Sequence, residues 1–172
     1  MNPHTIIMLC LLLLLTISIN AVTTVASVDL QRYLGRWYQF AYFPNGFQPK
    51  DCALTTADYS LDKKGKIVVL NTCYTDKAGK VIKKQAKGKA YAVDKTNSKL
   101  KVSFFWPFKG DYWIVKLDAD YRYAVVSDPK QKYLWILTRT PDLDKASYTE
   151  INSFLAKGGW DLSRLEINGE LK

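Results

Sequence analysis

Between residues 36 and 139 the chain repeats one kind of unit. Runs of about seven to twelve residues, rich in β-branched and aromatic side chains, are each closed by a cluster containing Gly, Pro, Asn, Asp or Lys. The runs cover residues 36–43, 53–61, 66–74, 81–93, 99–105, 111–117, 121–127 and 132–139. The gaps between them hold turns and leave no room for crossover helices, so consecutive strands must lie antiparallel. Eight strands joined this way predict an all-β fold, an eight-stranded antiparallel up-and-down barrel.

The strands differ in a way that predicts what packs on them. Residues 99–104 alternate, placing Leu100, Val102 and Phe104 inward and Lys99, Lys101 and Ser103 outward. Residues 112–115, 123–126 and 133–137 are apolar or aromatic throughout, so both of their faces need cover. Residues 144–157 supply it: Tyr148, Ile151, Phe154 and Leu155 recur at helical spacing, with Lys145, Glu150, Asn152 and Lys157 on the other side. Gly158 and Gly159 end that segment. One C-terminal α-helix is therefore expected outside the barrel, followed by a short return strand over 164–168.

The N-terminus reads differently. Residues 5–19 are almost wholly apolar and lead into the small residues Ala21, Ala26 and Ser27, the pattern of a signal peptide, although Lys and Arg are missing ahead of the apolar run. A buried helix or an uncleaved anchor are the other readings. With a signal peptide over 1–27, residues 28–172 form one domain, exported to a periplasm or outer membrane in a bacterium and outside the cell otherwise. Cys10 precedes most of the apolar run, so no lipidation cysteine is evident.

The only histidine is His4, in this leader. The domain therefore lacks the base of a Ser-His-Asp or Cys-His mechanism and the imidazoles of a His-ligated zinc site. No metal-ligand cluster, phosphate loop or paired-carboxylate site stands out; Asp118 and Asp120 read as turn-capping groups. Cys52 and Cys73 flank a hairpin turning near 62–65, a spacing that admits either a cross-strand disulfide or two free buried thiols. All 25 Lys and Arg and all 16 acids fall within the domain, whose charge of +9 favours anionic partners.

Residues 28–44, VDLQRYLGRWYQFAYFP, combine a charged lead-in (Asp29, Arg32), a glycine and an indole in fixed order. With Ala57-Asp-Tyr-Ser-Leu, Lys101-Val-Ser-Phe-Phe-Trp-Pro-Phe, Asp120-Tyr-Arg-Tyr-Ala-Val-Val and Tyr133-Leu-Trp-Ile-Leu-Thr-Arg-Thr-Pro, this stretch resembles the lipocalin family, in particular its bacterial lipocalin and apolipoprotein D group. The resemblance covers the whole domain. It implies that Gly35, Trp37 and Arg139 form the closed end of the barrel, with the Arg stacked on the Trp. In apolipoprotein D-like chains the cysteine matching Cys52 bridges to the C-terminal tail. Nothing after Cys73 offers a partner here, so the resemblance leaves Cys73.

If Gly35 and Trp37 mark the closed end, loops 44–50, 75–80, 106–110 and 128–131 form the mouth. The expected ligand-binding set is Phe43, Phe47, Tyr59, Leu100, Val102, Phe104, Trp106, Phe108, Lys109 and Tyr112, an apolar cup beneath a cationic rim. Such a site suits non-enzymatic binding, transport or storage of a fatty acid or lysophospholipid, in envelope maintenance or a stress response. It needs no cofactor, and the protein is expected as a monomer or homodimer in peripheral contact with a membrane. Two other readings compete: a polyanion or lipopolysaccharide binder, and a thiol-dependent lipid-modifying enzyme. Nucleic acid is not expected, because the lysines recur along the strands and form no single stripe.

Overall fold

The computed structural model describes residues 21–172; most of the expected signal peptide, residues 1–20, lies outside the described residues. The chain enters through a one-turn helix, α1 (Leu30–Tyr33), and then runs through eight strands: β1 (Gly35–Tyr42), β2 (Leu54–Leu61), β3 (Ile67–Lys77), β4 (Lys80–Ala92), β5 (Lys99–Ser103), β6 (Gly110–Leu117), β7 (Tyr123–Ser127) and β8 (Leu134–Thr138). Every consecutive pair is antiparallel, and β1 also pairs with β8, which closes the barrel. After β8 come β9 (Asp142–Leu143), helix α2 (Lys145–Lys157), a 3-10 turn (Leu162–Arg164), β10 (Glu166–Ile167) and β11 (Glu170–Leu171). The expected return strand is β10, which pairs with the end of β1. The small parallel β9–β11 pair was not foreseen.

Local chemistry sets these boundaries. Asp29 caps α1 by accepting from the N–H groups of Gln31 and Arg32, and Gly35, at φ +92°, turns the chain from helix into strand. Asp144 caps α2 through Ser147, so the helix begins one residue later than the apolar pattern suggests. Likewise β7 starts at Tyr123, because Tyr121 occupies a left-handed turn position at φ +60°. In that turn Asp118 accepts from the backbone of Asp120 and Arg122 and from the Arg122 guanidinium, which holds its carboxyl below the usual carboxylate range. Asp120 contributes its N–H, not its carboxylate.

There are two apolar layers. One fills the barrel: Trp37, Tyr59, Ile67, Val69, Leu100, Ile114, Val126 and Leu137. The other lies between the outside of β1, β6, β7 and β8 and helix α2, where Phe40, Val125, Leu134, Ile136, Ile151 and Leu155 are fully buried. This is the external cover that the uniformly apolar strands require. Burial of Ile151 and Leu155 contributes about 1.5–3 kcal/mol each. At the rim of that layer Glu150 accepts from Lys116 and Tyr123, and Trp160 donates to Ser127.

Two features depart from the expected layout. Residues 21–27 are not separate from the barrel: Val25 donates its N–H to Ile114, and Val22 and Val25 pack on the outer and inner layers respectively. Ordered packing thus begins ahead of residue 28. Second, β5 ends at Ser103 and pairs only with Lys89–Ala92 of β4, so among the described residues the rest of β4, from Lys80 to Gly88, has β3 on one side and no strand on the other.

Candidate functional site

The closed end is built around one cation. Arg139, directly after β8, lies with its guanidinium carbon 3.8 Å from the centre of the Trp37 ring. Its N–H groups donate to the carbonyls of Leu34 at 3.0 Å, Arg36 at 2.9 Å and Tyr121 at 3.3 Å, and to that of Arg32. The Trp37 indole N–H donates to Tyr33 at 2.8 Å, across the same turn. A β-carbon on Gly35 would sit 3.5 Å from the Arg139 guanidinium, so the bare glycine leaves the cation its place. No passage into the barrel is needed here; every group is paired.

Above this floor the inner wall carries three phenols among its apolar side chains. Tyr59 (β2) donates to the Tyr112 hydroxyl (β6) at 2.8 Å, and the hydroxyls of Tyr112 and Tyr33 (α1) lie 2.7 Å apart. Burial pushes all three hydroxyl pKa values well above the ordinary tyrosine range. Tyr33 and Tyr59 are fully enclosed, whereas Tyr112 is only partly so, as are Ala57, Val102 and Trp135, which pack on the same inner layer. These side chains belong to the inner layer yet keep some open surface. Phe104, just past β5 and partly exposed, rests on Gly88, where a β-carbon would come within 2.8 Å of its ring.

At the other end the loops carry exposed aromatics. Phe105, Trp106 and Phe108 on the β5–β6 loop are 79%, 88% and 77% exposed, and Phe47 on the β1–β2 loop is 66% exposed. Phe47 leans on Tyr133 and Trp135, with ring centres 5.4 and 6.2 Å away. Lys109 sits over the Tyr91 ring at 5.4 Å. The Trp106 side faces outward, where with Phe104, Tyr91, Lys87, Lys89 and Val68 it borders a groove of about 360 Å³ on the barrel's outer surface. Lys77, at the β3–β4 turn of the same end, pairs with Asp51 at 3.4 Å.

The expected ligand set therefore divides. Tyr59, Leu100, Val102 and Tyr112 belong to the inner layer; Phe47, Trp106, Phe108 and Lys109 lie on loops at the mouth, and Phe104, expected inward, borders the outer groove instead. Phe43 belongs to neither and is a correction. It is fully buried in the layer beneath α2, with the Arg164 guanidinium 4.4 Å above its ring. The reason is the irregularity between Gln39 and Ala41, which shifts the β1–β8 register. Beyond that bulge the alternation resets, and Ala41 and Phe43 turn toward the helix. Trp135 on the wall and Tyr33 beneath it were missed. Trp135 could have been found from its position between Leu134 and Ile136; nothing marked Tyr33, because its place depends on how α1 folds under the barrel.

Cys52 and Cys73 are bonded, with Cα atoms 5.3 Å apart, tying the β1–β2 loop to β3. Among the described residues no group of three or more His, Cys, Asp or Glu could hold a metal ion.

The profile of the family described as "Lipocalin-like domain" matches residues 28–169. Temperature-induced lipocalin-1 of Arabidopsis thaliana is 37% identical over 82% of this chain and 78% of its own length. Outer membrane lipoprotein Blc of Escherichia coli is 40% identical over 84% of this chain and 81% of its own. Among solved structures, the cockroach major allergen Per a 4 superposes with a TM-score of 0.63 at 20% identity, covering 89% of this chain and 96% of the allergen, a likeness of fold.

Proposed function

The chain belongs to the lipocalin family of small-ligand-binding proteins, and from that premise we propose that it binds, carries or stores an amphiphilic lipid of the fatty-acid or lysophospholipid class without catalysis. The acyl chain lies inside the barrel between Leu100, Val102 and Trp135, and the anionic head stays at the mouth near Lys109. The observation that carries this reading is the partly open inner wall beneath four exposed aromatic side chains on two mouth loops. Each methylene moved from water to such a wall contributes about 0.8 kcal/mol before ordering costs.

Contact with an anionic membrane surface fits the same end of the molecule. Phe105, Trp106 and Phe108 stand next to Lys87, Lys89 and Lys109, the pairing of apolar and basic side chains that suits a bilayer interface. Export accords with the disulfide, and a role at a cell envelope accords with the likeness to outer membrane lipoprotein Blc. A thiol-dependent activity is disfavoured, since the bond between Cys52 and Cys73 leaves the domain no thiolate.

The test is to titrate the purified protein with palmitic acid and with a lysophospholipid while following its Trp fluorescence, and to identify by native mass spectrometry any lipid that co-purifies. Saturable quenching with one-to-one stoichiometry is expected. Folded protein that binds neither lipid would overturn the proposal; tight binding to DNA that persists at physiological salt would favour a polyanion binder.

A further inference from the structure

We infer that the hydroxyl of Tyr112 is a specificity-determining anchor inside the barrel, and that it selects lipids bearing a neutral oxygen, above all a hydroxyl, on the end that reaches the floor. This rests on the lumen being the ligand site and adds what lies at its inner end.

The argument begins with a count of protons. Three phenols carry three O–H groups, but the chain Tyr59–Tyr112–Tyr33 contains two hydrogen bonds, so one proton is left over. Tyr59 has spent its own on Tyr112. If Tyr112 donated to Tyr33, the unused proton would belong to Tyr33, which is sealed below the wall. If Tyr33 donates to Tyr112, the unused proton belongs to Tyr112, the one member of the trio with open surface. A buried donor without an acceptor is costly, so the second arrangement wins and an O–H points into the lumen.

What meets that proton must be an acceptor, and its charge is constrained. The cation at the floor is Arg139, whose N–H groups are already given to four backbone carbonyls and whose face lies against Trp37. A carboxylate at this depth would find no counter-ion, whereas a hydroxyl or carbonyl oxygen would. A hydroxyl has a further advantage. On the neighbouring strand Asn71, two register pairs nearer the mouth than Tyr59, carries a buried Oδ1 with no hydrogen-bond partner among the described residues. An alcohol can accept from Tyr112 and donate toward Asn71; a methyl end does neither and leaves both groups unpaired.

The experiment compares palmitic acid with ω-hydroxypalmitic acid, by Trp quenching, on wild type, Tyr112→Phe and Tyr33→Phe. The hydroxylated acid should bind wild type about tenfold more tightly than palmitic acid, the size of one buried hydrogen bond. Tyr112→Phe should abolish or invert that ratio. Tyr33→Phe loses stability but keeps the ratio, since Tyr112 retains its free proton. In wild type, the hydroxylated acid alone should shift the tyrosine absorption band to the red, a readout that does not depend on any variant folding. Equal binding of both acids with no shift would overturn the anchor while leaving the lipid reading standing; binding of neither would overturn both.

Discussion

Arg139 and Trp37 form a single joint: the guanidinium carbon sits 3.8 Å above the ring centre, while the same group gathers the carbonyls at the end of α1 and the start of β1. The cation is thus at once a π partner and the C-terminal cap of a helix too short to hold itself. One side chain delivered by β8 fixes where the chain enters the barrel.

Removing Trp37 should therefore leave a cavity in a fully packed site. Trp37→Ala is expected to cost roughly 3–5 kcal/mol, measured by urea denaturation. Arg139→Ala should cost less, and Arg139→Lys should recover little of the loss, because an ammonium cannot cover both the ring and several carbonyls. Neither variant should change which lipid a folded molecule prefers.

The mouth should behave in the opposite way. Phe47→Ala, Trp106→Ala and Lys109→Ala remove exposed groups, so each melting temperature should stay close to wild type. Lipid affinity or chain-length preference should change, read by the same Trp-quenching titration. Mouth variants that unfold yet bind normally per folded molecule would mean that the two ends of the barrel have been exchanged.

The pH dependence follows from the buried phenols. The folded state holds the protons of Tyr33, Tyr59 and Tyr112 above the pH at which an unfolded chain releases them, near 10. Below that pH neither state releases them and these groups give no slope. Above it the unfolded chain loses protons that the folded chain keeps, so stability falls as pH rises, by about 1.4 kcal/mol per unit for each group. Absorbance at alkaline pH should show the exposed tyrosines ionising reversibly, with the buried ones, Tyr123 beside Glu150 also among them, appearing only as the barrel unfolds.

Reducing the bond between Cys52 and Cys73 frees a loop with a sequence separation of 21. The expected loss is about 3 kcal/mol, or roughly 6–12 °C in melting temperature. Calorimetry of the Cys52→Ser, Cys73→Ser double variant, alongside reduced wild type, checks it. The β1–β2 loop that carries Phe47 should become the first part of the chain open to proteolysis.

Because Val22 and Val25 pack on the barrel, processing after Ser27 would strip side chains from both apolar layers. The intact mass of the exported protein is expected to place the new N-terminus at or before Val22. A mass beginning at Val28, with unchanged melting temperature, would show that this segment is dispensable.

The strands, the closure and the outer helix were legible because they rest on local periodicity: alternation where one face is wet, none where both are covered. Gly35, Trp37 and Arg139 could be brought together only through the family resemblance, since more than a hundred residues separate the Trp from its cation. Phe43 escaped because a bulge is a one-residue slip with no sequence marker here, and it reverses every side chain that follows. Tyr33 escaped for a different reason: a four-residue helix has too little pattern to show which of its side chains turns under the barrel. The leader boundary was placed by small residues alone, which carry no information about what Val22 and Val25 touch.

The unpartnered edge of β4 has a consequence for how this protein behaves in a crowd. A strand with bare N–H and C=O groups on one side is a template on which a second chain can lay its own strand, and stacking of that kind ends in fibrils. Along this edge stand Lys80, Lys83, Lys84 and Lys87, so an identical copy arriving to pair would bring like charge against like charge. The lysines thus act as a guard against polymerisation, and their neutralisation by acetylation or by bound polyanions would expose this open edge to its own kind.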